Sequence, residues 1–216
     1  MKTIFVSSTF QDMHYERDAI QELIYPQLNQ KARQYGQSVA FCDLRWGIDT
    51  SFLESETGSQ KVLDVCLEEI DRCQPPMVVI LGDRYGWIPS DKLVRDVAQR
   101  YTLELEDLEK SVTALEIEYG ALRDSQKLQN TLFYFRHIQG PVPDNYLAED
   151  EDHRQRLQQL KDRILALTAN QVRHYTLTWN GNGFSGIEEF CRMVVEDLEQ
   201  MLLPQWQVYQ QMDPFQ

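Results

Sequence analysis

Three features of the 216-residue chain predict an α/β fold, a parallel sheet with helices on both faces. Short apolar runs alternate strictly with longer segments of helical periodicity. The run Met77-Val78-Val79-Ile80-Leu81 is apolar throughout, as a central parallel strand must be. Ile4-Phe5-Val6 leads directly into Ser7-Ser8-Thr9-Phe10 and then a helix carrying Glu16-Arg17-Asp18, a β-loop-α unit. Five such units imply a parallel sheet with right-handed crossovers, and the five-stranded, flavodoxin-like order 2-1-3-4-5 suits that count. Its switch point lies between the first and third strands, so the loops after Val6 and Leu81 face one crevice and the loop after Cys42 can reach it.

After the first strand, Ile20, Leu23, Ile24, Leu28, Ala32 and Tyr35 mark a helical stripe interrupted by Pro26, which should kink or split the helix near Tyr25. Gly36 stops this helix. Val39-Ala40-Phe41-Cys42 is the second strand, and a long loop from Asp43-Leu44-Arg45-Trp46-Gly47 runs to Gly58. A helix with Val62, Leu63, Cys66, Leu67, Ile70 and Cys73 on one face follows and ends at Pro75-Pro76. Beyond the third strand and its Gly82-Asp83-Arg84-Tyr85-Gly86-Trp87 loop, the polar segment at about 88–110 is expected to be a partly helical insertion over the end of the sheet. The helix after it carries Val112, Leu115, Tyr119 and Leu122 as its apolar stripe, and Thr131 to Phe135 is the fourth strand. A surface loop from Gly140 to Asp152, a helix marked by Leu157, Leu160, Ile164 and Leu167, a strand from Arg173 to Trp179 and a helix from Ile187 to Leu202 complete the domain. Ser185 and Glu188 supply a capping box for that last helix. The domain is assigned to residues 1–203, with 204–216 as a tail or the start of a linker.

With 34 acidic against 21 basic residues the formal charge is -13, which disfavours nucleic acid as a partner. The four cysteines, Cys42, Cys66, Cys73 and Cys191, lack CxxC spacing and are read as buried, reduced thiols, with no metal site. No signal peptide and no apolar run of membrane-spanning length are visible, so the chain is expected to be cytoplasmic and free of the membrane. GxxxxGK[ST], GxGxxG after the first strand, HExxH and GxSxG are all absent. His14, His137, His153 and His174 are scattered without ligand spacing.

The remaining candidates are polar strand-end loops and a helix carboxylate. Ser7, Ser8 and Thr9 read equally as a helix cap or as ligand contacts. Asp43, Arg45 and Trp46 read as an Arg-Asp pair with a loop-closing indole, or as site residues. Arg84, Tyr85 and Trp87 border the same crevice or pack beneath the insertion. Glu116 and Glu118 border opposite edges of the buried stripe, and periodicity does not choose between them.

Phe5-Val6-Ser7-Ser8-Thr9-Phe10-Gln11-Asp12-Met13 with Glu16-Arg17-Asp18, Asp43-Leu44-Arg45-Trp46-Gly47-Ile48, Cys66-Leu67-Glu68-Glu69-Ile70 and Leu81-Gly82-Asp83-Arg84-Tyr85-Gly86-Trp87 together resemble a TIR-like (Toll/interleukin-receptor-like) domain family. In that family the domain stands at the N-terminus of NACHT or related NTPases with repeats, bacterial defence proteins among them. The resemblance implies a flavodoxin-like fold, self-association through TIR-like contacts, NTPase or repeat domains in the full-length protein and, in many members, NAD cleavage by one glutamate on the helix after the third strand. That position is Glu116. TIR enzymes often carry Trp-Cys shortly before the glutamate, where this chain has Val112-Thr113. Trp46 or Trp87 could replace the missing stacking partner.

On this reading NAD is a substrate and no cofactor is needed. Ser7, Ser8, Thr9 and Arg45 would hold the pyrophosphate. The leading expectation is a NAD-cleaving effector domain activated by assembly; the alternatives are a catalytically silent interaction module and a nucleoside or nucleotide N-glycosyl transferase-like enzyme.

Overall fold

The computed structural model describes all residues except 45–55, 74, 102, 105, 106, 108, 169, 170 and 213–216. Five parallel strands, β1 (Lys2–Ser7), β2 (Val39–Cys42), β3 (Met77–Leu81), β4 (Thr131–Gln139) and β5 (Val172–Trp179), lie in the order β2-β1-β3-β4-β5. A sixth, β6 (Phe184–Ser185), adds an antiparallel edge beyond β5, so the expected five-stranded parallel sheet is a six-stranded mixed one. Two residues are too few to show a period in sequence. Phe184 is held there by Trp179 and Tyr146, with ring centroids 4.9 and 5.0 Å away.

Strand alternation divides the core in two. Phe5, Val79, Leu81, Phe133 and Phe135 face α3 (Glu56–Cys73), α5 (Val112–Ile117) and α7 (Glu151–Thr168), and the short α6 (Ser125–Gln129) leads into β4. Ile4, Val6, Val78, Ile80 and Tyr134 face α1 (His14–Ala19), α2 (Tyr25–Arg33) and α8 (Ile187–Met212). Every side chain of β3 is buried, which accounts for its unbroken apolar run.

Pro26 splits its helix as expected, through a wide π-type turn at Ile20–Ile24 that joins α1 to α2. Proline offers no amide hydrogen to the preceding turn, and a local change of hydrogen-bond register absorbs the loss. A second π turn, Glu118–Leu122, extends α5, where Gly120 packs so closely on Met77 and Ile70 that a β-carbon would lie 2.8 Å from the Met77 sulfur. This change of register leaves Tyr119 half-buried, with its hydroxyl donating to Asp71, rather than in the core.

The insertion forms α4 (Asp91–Tyr101), which packs on α3 through Val94 and Val97. One other expectation is corrected. The last helix does not stop at Leu202: α8 continues through Pro204, and Trp206 is buried with its ring 5.9 Å from that of Tyr35. No described helix is long and apolar enough to cross a membrane.

Candidate functional site

β1 ends in a buried serine on the face that Phe5 presents to α3 and α5, because alternate strand residues share a side. The Ser7 hydroxyl donates to a Glu116 carboxylate oxygen at 2.6 Å. Glu116 is carried by α5, whose start is fixed by the Ser111 hydroxyl accepting from the Ala114 amide. A third element completes the contact: the Cys66 thiol of α3 hydrogen-bonds the same carboxylate.

Burial raises the Glu116 pKa, opposed by the Ser7 and Cys66 donors and by the positive field of Arg17. The sum is a carboxyl held above the ordinary range, since desolvation penalises its charged form more than two neutral donors restore. Cys66 is itself pushed well up by burial and by the neighbouring carboxylate, so it remains a protonated donor. Glu116 makes no direct ion pair among the described residues and is 4% exposed. Glu118 is different: it pairs with Lys110 and Arg163 on the other edge of the helix. Periodicity left these two acids open, and their partners separate them.

Above Ser7, the buried Arg17 gathers three predicted residues. Its Nε donates to the Ser8 hydroxyl at 2.8 Å, one terminal nitrogen donates to the Ser8 carbonyl at 3.0 Å, and the other pairs with Asp43. The guanidinium lies 4.7 Å from the centre of the Phe10 ring. Thr9 donates to Asp12, which is paired with Arg136 of β4. The Ser7 to Phe10 loop is thus a junction of buried polar contacts.

The loop after β3 reaches this junction through Gly86, whose φ of +93° suits glycine and whose absent β-carbon would lie 3.0 Å from the Thr9 methyl group. Its other residues point elsewhere. Arg84 donates to the Asn145 and Leu147 carbonyls and pairs with Glu149. Tyr85 is buried and hydrogen-bonds Ser111. Trp87 is 41% exposed and uses its carbonyl to accept from the Val112 amide. The alternative in which Arg84 and Tyr85 pack structurally is therefore the one these contacts favour. Arg45 and Trp46 lie outside the described residues.

Two contributors were missed. Arg17 sits with Met13, Ile20 and Ile24 on one stripe, and this spacing could have marked it as buried. Cys66 was read as core, with no signal that it would face a carboxylate. The histidines are not all separate either, since His137 and His174 stack with ring nitrogens 2.9 Å apart at an exposed strand end.

A family model described as a domain of unknown function, DUF4062, matches residues 3–178. Among curated proteins, mouse telomerase protein component 1 is 33% identical over 94% of this chain and 8% of its own length. A TPR repeat-containing protein of Dictyostelium discoideum is 27% identical over 75% of this chain and 10% of its own length. Mouse NACHT domain- and WD repeat-containing protein 1 is 33% identical over 39% of this chain and 5% of its own length. The chain spans about a tenth or less of the length of these relatives. No solved structure matches.

Proposed function

The chain belongs to the DUF4062 family, and we propose that it is a TIR-like, flavodoxin-like effector domain that cleaves the nicotinamide-ribose bond of NAD with Glu116 as its reactive carboxylate. The observation that supports this reading is the Ser7-Glu116 contact at the switch point of the sheet, where a carboxylate is held by neutral donors in a dry environment. Ligands of open α/β sheets bind at such points.

The chemistry needs little more. Cleavage of the C1′–nitrogen bond develops positive charge on the ribose, as in glycoside hydrolysis, while nicotinamide leaves as a neutral molecule from a cationic precursor and needs no general acid; water then bonds to C1′ and releases its proton to solvent. A carboxylate shielded from water stabilises that charge more strongly than a solvated one. Glu116 must be ionised to act, and its pKa is raised, so the acidic limb of the activity profile should lie above the ordinary glutamate value of about 4.3. The names of the relatives suggest NTPase and repeat partners in a longer protein, whose assembly would cluster the domains.

The test is nicotinamide release from NAD by wild type, Glu116→Ala and Glu116→Gln, dilute and clustered on a scaffold. Turnover by clustered wild type, absent in both variants, is expected. Equal release by all three would overturn the reading. One observation favours a catalytically silent interaction module as the second reading: Glu116 is covered and bridges β1, α3 and α5, a role that packing alone could use.

A further inference from the structure

A second constellation stands apart from Glu116. Cys42 closes β2, while Glu69 and Cys73 occupy successive turns at the end of α3. Their sulfur and carboxylate oxygen atoms all lie within 4.8 Å of one another, the one such grouping of metal-binding side chains among the described residues. The spacing between cysteines in sequence concealed it, because Cys42 and Cys73 lie 31 positions apart (73 − 42) on two different elements, β2 and α3.

The spacing of Cys42 and Glu69 suits a small tetrahedral cation. With metal-sulfur bonds of about 2.3 Å and metal-oxygen bonds of about 2.0 Å, tetrahedral angles place neighbouring sulfur and oxygen ligands about 3.5 Å apart. Cys42 Sγ lies 3.4 Å from a Glu69 oxygen. We propose that Cys42, Glu69 and Cys73 form a binding site for a thiophilic divalent cation of the zinc type. Two sulfurs with one carboxylate select against magnesium and calcium, which take oxygen ligands. An open groove lined by Phe41, Asp43, Leu44 and Arg72 gives an entry path to Cys42 and Glu69.

The Cys42 thiol donates to a Glu69 carboxylate oxygen, so two of the three ligands already face each other. Capture of a cation by the sulfurs releases their thiol protons to solvent. Arg72 is the competitor. It donates to the same Glu69 oxygen at 2.7 and 2.5 Å, but its side chain is 62% exposed and can withdraw into solvent.

The test titrates the reduced 216-residue chain with Co2+ under anaerobic conditions, reading visible absorption, and then displaces it with Zn2+. Wild type should take one equivalent with the intense bands of tetrahedral cobalt and a thiolate charge-transfer band, both removed by Zn2+. Cys42→Ser and Cys73→Ser should lose these bands, Cys191→Ser should keep them, and Arg72→Ala should bind at lower cobalt concentration. Near-UV circular dichroism confirms folding of each variant. Weak octahedral spectra from wild type, or bands that survive in folded Cys42→Ser and Cys73→Ser, would overturn the assignment. Arg72→Ala carries both thiols, so it decides the matter if a serine variant does not fold: a folded Arg72→Ala without tetrahedral bands also overturns it.

Discussion

Buried acids flank the end of β1 on both faces of the sheet, one pair on one side and a single acid on the other, and are held in opposite ways. On the α1 and α8 side, Glu16 meets the Arg136 guanidinium at 3.1 Å and accepts from Tyr175 at 2.9 Å, while Asp12 meets the same arginine at 2.6 Å. These three charged side chains have no exposure. On the α3 and α5 side, Glu116 has a hydroxyl and a thiol but no cation in contact among the described residues. The nearby Arg17 commits its nitrogens to Ser8 and Asp43 and reaches Glu116 only through its field. Burial raises the pKa of all three acids, but only the first pair receives an opposite charge at bonding distance. Removing one partner of a charge matched at contact strands the other in the core, whereas a carboxyl left to neutral donors is held above its ordinary pKa.

Arg136→Met should break the comparison most severely. It strands Asp12 and Glu16 in the core, and such losses cost about 3–5 kcal/mol, measured by urea unfolding near neutral pH. Ser7→Ala, which removes a donor from Glu116, should cost about 1–3 kcal/mol and push the Glu116 pKa further up, read as a shift of any acidic activity limb to higher pH.

Glu116→Gln has the smallest expected effect and the opposite sign. A carboxyl whose folded pKa lies above its unfolded value stabilises the fold fully below the unfolded value and loses that contribution as pH rises through the folded one. Near neutral pH the glutamine variant should therefore melt higher than wild type, each ~1 kcal/mol gained raising the midpoint by about 2–4 °C in a chain of this size. The difference should shrink towards about pH 4, where wild type is protonated. A lower melting temperature for Glu116→Gln at neutral pH would place Glu116 with the acids that hold the fold.

The central strands were legible because burial on both faces leaves no polar residue in β3, and the strict alternation of elements gave the order of the five parallel strands. The Ser7 loop and Glu116 were legible as candidates, since switch-point geometry and family resemblance led to them separately. The approach of Glu116 to the Ser7 loop was expected too, and the two meet; that they meet in a direct hydrogen bond depends on how the π turn holding Gly120 seats the helix. Arg17 escaped for a different reason: a charged side chain on an apolar stripe looks like the edge of that stripe until its partner, Asp43, is brought beside it by β2. The Cys42-Glu69-Cys73 group depends wholly on tertiary approach, which no local spacing encodes.

Ser7, Ser8 and Thr9 are consecutive, yet their hydroxyls serve Glu116, Arg17 and Asp12 respectively. Each position therefore answers to a different selective demand, although the three codons are adjacent. Loss of the Ser7 hydroxyl removes one donor from Glu116 and leaves the Ser8 and Thr9 contacts in place, so the loop can change its hold on the carboxylate without giving up its own shape.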